Sequence, residues 1–241
     1  LKNIFFASTI IASGVFFPFY QANAHGAKTI TSPYVSEGET ELELKAGYIL
    51  EADDHEDGYG GEVAVSHGVT SYWQVEVGLS FEDEGRGHDL EAKSLNLESK
   101  FQLAQPGEYF VDPGIKLEYA HSLNGGSDKI GAKFVLAKEI EKFSNVANFE
   151  ISKEIGDDAD SNPGYGFAYG VSYALQENLA LGAEWHSDFG NFDKDFNDQD
   201  HQIGPVVYGD AFGVEYEVGL LAGVSKHAPD AELKFVVGYE F

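Results

Sequence analysis

From Glu39 onward, apolar and polar side chains take turns along the chain. A period of two puts successive side chains on opposite faces of a β-strand. The C-terminal stretch 232–241 carries the pattern most plainly. Leu233, Phe235, Val237, Tyr239 and Phe241 fall on one face, and Glu232, Lys234, Gly238 and Glu240 fall on the other. An apolar, aromatic face backed by a polar one, closing on an aromatic residue, is what the last strand of an outer-membrane β-barrel requires.

The same rhythm predicts about twelve strands. They span approximately 39–50, 59–67, 72–82, 90–103, 109–122, 129–140, 146–155, 165–175, 179–187, 201–209, 213–222 and 232–241. Trp73, Phe81, Tyr169, Trp185, Phe235, Tyr239 and Phe241 are the aromatic residues expected to face the membrane. The eighth segment alternates most sharply, with Tyr165, Phe167, Tyr169, Val171, Tyr173 and Leu175 on one side and Gly and Ala dominating the other. The sixth and seventh alternate less cleanly. Longer acidic or Gly-rich links (51–58, 83–89, 123–128, 156–164, 189–200) exchange places with short ones (69–71, 104–108, 141–145, 176–178, 210–212), and a final link, 223–231, precedes the last strand. Outer-membrane barrels keep long loops outside the cell and short turns in the periplasm. An even strand count then returns both ends of the barrel to the periplasmic side, a parity that a soluble β-sandwich does not predict. The expected fold is therefore all-β: a transmembrane antiparallel meander barrel of outer-membrane type.

The start of the chain points to export. Lys2 precedes an apolar run from Ile4 to Tyr20, and Ala22-Asn23-Ala24 has the small-x-small form of a cleavage site. Residues 1–24 are expected to be a signal peptide, cleaved before His25. Residues 25–38 then form a periplasmic N-terminal segment that could enter or seal the lumen, and 39–241 form the barrel. After residue 24 no apolar stretch approaches the ~20 residues of a spanning helix. The chain has no cysteine, so no disulfide framework supports it. Its 41 Asp and Glu against 15 Lys and Arg give a formal charge of −26. Such a surface repels the phosphate backbone, which excludes nucleic acid as a partner. Aromatic residues make up 14% of the chain, too many for a disordered acidic protein. The expected location is the outer membrane of a Gram-negative bacterium. The expected partners are outer-membrane lipid and the barrel-assembly machinery, the latter through the strand ending at Phe241.

The candidate chemistry lies on the inward faces. Glu41, Glu43, Lys45, Glu76, Glu98, Lys100, Lys116, Glu118, Glu184, His186, Glu215, Glu217 and Lys234 are the candidate lumen-lining residues. A lumen of this kind passes small hydrophilic or cationic solutes. Equally, cross-strand Glu and Lys pairs such as Glu98 with Lys116 would simply fill the interior. Barrels of about eight strands are filled by side chains and those of about sixteen leave a channel. Twelve leaves a narrow pore and a plugged barrel both open. The acidic loops offer candidate sites for divalent cations at Asp53, Asp54 and His55 and at Asp193, Asp195, Asp198 and Asp200, with His25 a further metal candidate if cleavage frees its amine. The second loop opens like a calcium loop, but Asp198 stands where such a loop needs Gly and Gly204 where it needs Glu. Solvated surface charge is the plainer reading. The adjacent pairs His121-Ser122 and His186-Ser187 point to opposite faces of a strand, and no G-x-S-x-G elbow occurs. Neither an enzyme nor a cofactor is expected.

Two stretches also resemble a known group. His25-Gly26-Ala27-Lys28-Thr29-Ile30, Ser32-Pro33, Val35, Gly38-Glu39 and Glu41 resemble the mature N-terminus of a widespread proteobacterial family of poorly characterised outer-membrane barrels labelled as transporters. Gly204-Pro205, Tyr216-Glu217-Val218-Gly219, Ala228-Pro229-Asp230 and Tyr239-Glu240-Phe241 resemble its C-terminal half. A more distant similarity, of architecture only, is to barrels associated with phenol meta-pathway gene sets. The resemblance implies fold and outer-membrane placement; it brings no catalytic residue and no substrate.

Overall fold

The computed structural model describes residues 27–50, 58–83, 90–156, 159–160, 162–192 and 195–241. Each of twelve antiparallel strands pairs with its sequence neighbours, and the first closes on the last to make one barrel. The strands are β1 (Thr40–Leu50), β2 (Gly58–Thr70), β3 (Trp73–Asp83), β4 (Glu91–Gln102), β5 (Asp112–Ser122), β6 (Asp128–Ile140), β7 (Phe143–Ile155), β8 (Gly164–Gln176), β9 (Leu179–Gly190), β10 (Asp200–Ala211), β11 (Val214–Gly223) and β12 (Ala231–Glu240). Closure leaves no free sheet edge. Leu44 opposes Val237 and Tyr48 opposes Leu233 across the seam. Phe241 lies just past β12, yet its N–H still donates to the Thr40 carbonyl at 2.9 Å.

The burial pattern is that of a soluble protein turned inside out. Val77 and Leu97, partners in the β3–β4 register, are 51% and 46% exposed on the outer wall. Lys45, Glu62, Glu232 and Lys234 have no exposed surface at all, and Glu184 has 1%. Trp73, Tyr169, Trp185, Phe235, Tyr239 and Phe241 are exposed and Phe81 is half-buried. Cross-strand aromatic pairs tie the outer wall together, among them Trp73 with Phe101 and Phe143 with Tyr173.

At one end of the barrel the links are mostly two-residue turns. Phe212 and Gly213 both have positive φ, at 59° and 77°, which is the type I′ hairpin that matches the twist of the flanking strands. The link between β4 and β5 is longer than its sequence signal and covers residues 103–111. Its backbone is satisfied locally: the Gly107 N–H donates to Asp112 Oδ1 at 2.5 Å and the Gln105 N–H to Glu108 at 3.1 Å. β5 consequently starts at Asp112 rather than Tyr109, while β7 starts at Phe143, earlier than Val146.

Residues 27–38 do not join the sheet. Ala27 and Thr29 to Pro33 are buried inside the barrel, where the segment follows the inner wall of β5 to β8. The Thr31 N–H donates to Asn148 Oδ1 at 2.7 Å, and the Thr31 carbonyl accepts from Asn148 Nδ2 at 2.8 Å. This two-way clasp mimics a ladder pair. Ile30 packs against Val135, Ala137, Val146 and Ala168, which are inward-facing apolar residues. A Cβ at Gly114 would come within 2.7 Å of Pro33, so the bare backbone there makes room for the segment. The Gly38 N–H donates to the Gly68 carbonyl at 2.7 Å, fixing the point where the chain turns into β1.

Candidate functional site

Inward-facing residues of the strands build three ion clusters. In the first, Lys45 lies 2.9 Å from Glu43, 2.7 Å from Glu62 and 3.2 Å from Glu76. Glu62 also accepts from Ser80 at 3.2 Å and from Asn96. In the second, Lys116 bridges Glu98 at 2.8 Å and Glu118 at 2.6 Å, and Lys133 extends the chain to Glu150 at 3.4 Å. In the third, Lys234 from β12 reaches Glu184 on β9 at 2.6 Å and also pairs with Glu217. Glu184 also pairs with His186 at 2.7 Å and accepts from the Tyr208 hydroxyl at 2.6 Å. Buried charges are costly unless paired, and in each cluster lysine ammonium groups pair with carboxylates that outnumber them.

Of the thirteen inward residues named from sequence, Glu43, Lys45, Glu98, Lys116, Glu118, Glu184, His186, Glu217 and Lys234 are buried. Glu41, Glu76, Lys100 and Glu215 are half-buried. Sequence reasoning passed over Glu62, Lys133, Glu150 and Tyr208. Parity offered a signal for Glu62, which shares its face of β2 with Gly60, Ala64 and Ser66.

A cavity of about 640 Å³ lies toward the short-turn end, with Glu139, Glu141, Asp210, Glu215, Glu217, Tyr208 and Tyr216 among its walls; among the described residues, Lys142 is the only lysine in its lining. Toward the long-loop end the interior is crossed by the N-terminal segment. The Lys28 ammonium sits 2.7 Å from Asp200 Oδ2, and the Lys28 N–H donates to Glu232 Oε1 at 3.0 Å. Burial disfavours the Lys28 ammonium, but Asp200 and Glu232 outweigh that and hold its pKa well above the ordinary lysine value. Near the short-turn end the Tyr34 hydroxyl donates to Asp112 at 2.8 Å, and burial together with that carboxylate pushes the phenol pKa up.

The other sequence candidates are dispersed. His25, Asp53, Asp54, His55 and Asp193 lie outside the described residues. Asp195 and Asp198 are exposed at a single 3-10 turn, Phe196–Asp198, while Asp200 turns inward to Lys28. Among the described residues no group of three His, Asp or Glu side chains is placed to hold a metal ion. Ser187 does not act with its neighbour His186. It hydrogen-bonds His201 Nδ1 on the adjacent strand at 2.8 Å, and His201 Nε2 meets Gln199 Oε1 at 3.1 Å. Phe196 stacks on the His201 ring at 4.1 Å, so this chain of contacts pins Phe196 and Gln199 to the barrel wall.

No family model matches the chain, and no curated protein matches it in sequence. Solved structures do match in fold. The chain is similar to the COG4313 outer membrane channel from Pseudomonas putida F1, with a TM-score of 0.64 at 11% identity over 86% of this chain and 97% of that one. It is similar also to the NanC porin, with a TM-score of 0.56 at 11% identity over 82% of this chain and 97% of that one. The shared feature is the closed antiparallel barrel.

Proposed function

We propose that the chain is an outer-membrane barrel of a Gram-negative bacterium that passes small, preferentially cationic solutes through its Glu- and Lys-lined lumen. It belongs, on this reading, to the proteobacterial group its two ends resemble. It is exported with a cleaved leader, seats its apolar wall in outer-membrane lipid and is assembled through the strand ending at Phe241. The observation that carries the proposal is the inversion of burial, with leucines and aromatics outside and paired charges within. That arrangement suits lipid outside and a polar path inside. The 640 Å³ acidic cavity gives the short-turn end a cation-attracting vestibule. Residues 27–36 act as a displaceable plug, and conduction follows their withdrawal.

Purified protein in planar bilayers tests this. Cation-selective steps are expected, and Glu215→Gln, which alters the vestibule without touching the three ion clusters, should shift the reversal potential toward zero in a salt gradient. Anion selectivity, or a reversal potential indifferent to Glu215, contradicts the reading. A second reading, a non-conducting surface barrel, is favoured by one observation: the N-terminal segment lies within the lumen. Silence from folded protein whose segment has been displaced would establish that alternative.

A further inference from the structure

We propose that the long-loop end of the lumen contains a binding site for a small primary ammonium ion, and that the Lys28 side chain is its tethered occupant. The biological meaning rests on the solute-path reading above; the site itself does not. The three ion clusters are centred on lysines fixed in the wall. Lys28 differs, because it comes from the segment laid inside the barrel, held there by hydrogen bonds such as the Thr31–Asn148 clasp and by apolar packing. It is therefore a cation that can leave.

What it would leave behind is a cradle of acceptors. Asp200 takes the ammonium at 2.7 Å and is braced by Gln202 Nε2 at 3.2 Å, while Glu232 Oε1 takes the Lys28 N–H at 3.0 Å. Two acceptors remain over. Glu232 Oε2 and Gln202 Oε1 are buried without a hydrogen-bond partner among the described residues, and neither side chain has any exposed surface. The cradle thus has more acceptors than the lysine satisfies. The Lys28 and Asp200 side chains retain 20% and 23% exposure, so the pair is reachable by a small ion, unlike Lys45 or Lys234. Carboxylates stripped of a buried counter-cation are strongly disfavoured. Withdrawal of Lys28 therefore favours entry of another cation. A primary ammonium carries three N–H donors on one charge and can engage carboxylate and amide oxygens together. A quaternary ammonium has the charge without the donors. Lys28 then acts as a competitive lock: solute and plug seek the same acceptors.

The test is isothermal titration of methylammonium chloride into the folded, detergent-solubilised full chain, with tetramethylammonium chloride as the control. The Lys28→Met variant should bind methylammonium at least tenfold more tightly than the unmodified protein, and adding Glu232→Gln should abolish that gain. Equal affinities for the unmodified protein and Lys28→Met, equal binding of the two ammonium ions, or indifference to Glu232→Gln would each overturn the proposal. If Lys28→Met does not fold, trypsin cleavage after Lys28 in the unmodified chain serves instead. Methylammonium should accelerate it over tetramethylammonium at the same ionic strength, and equal rates overturn the site. Binding in a barrel that never conducts would retain the site while removing the transport reading.

Discussion

At the scale of single residues, buried charge is both the main cost and the main device of this molecule. Lys45 shows the balance most clearly, since one ammonium with no exposed surface neutralises part of the charge of three carboxylates within 3.2 Å. Lys45→Met removes the ammonium that Glu43, Glu62 and Glu76 share. Breaking a buried pair from one side costs about 3–5 kcal/mol. The denaturant midpoint of the barrel refolded in lipid vesicles should fall accordingly, and Glu62→Gln in the same background should restore part of it. An unchanged midpoint would mean that water or ions already screen the cluster. The Glu98–Lys116 contact was legible in the sequence because a hairpin brings its two strands together. The Lys234–Glu184 contact was not, since β10 and β11 separate the two strands and only the closed barrel brings the side chains within reach.

Among the elements, the strands were largely legible and the N-terminal segment was legible only in outline. Period-two alternation located all twelve strands because each is apolar on one face and polar on the other. The weak alternation of the sixth and seventh segments has a physical reason. Val135, Ala137 and Val146 face inward and pack against Ile30, so the polar face expected of a lumen is interrupted there. Apolar residues at these inward positions were thus a trace of something packed inside, and no local pattern said what. Gly114 is part of the same groove. Gly114→Val should leave the wall intact while forcing Pro33 away, since the rigid ring has no alternative rotamer to take up the 2.7 Å approach. Heat-modifiable migration of the folded barrel should be retained, and tryptic cleavage after Lys28 should speed up by roughly tenfold, the factor expected when about 1.4 kcal/mol of docking is lost. Loss of the folded band would show instead that the segment is part of what holds the wall together.

The whole molecule is a closed wall with two unlike ends. One end is joined mostly by tight turns and opens on an acidic cavity; at the other, Lys28 latches the inner segment to β10 and β12. The barrel does not need the segment to satisfy its ladders, because every strand already has two neighbours. On the proposed reading, that separation of roles lets the segment move without unfolding its housing. The most direct test joins the plug to the wall. The chain has no cysteine of its own, so Thr31→Cys with Asn148→Cys places a single bondable pair at the clasp between segment and β7. With the pair reduced, the protein should pass cation-selective current in planar bilayers; with it oxidised, the current should vanish and return on adding reductant. Identical conductance in the two states would contradict the account, because the interior path could not then be controlled by residues 27–36.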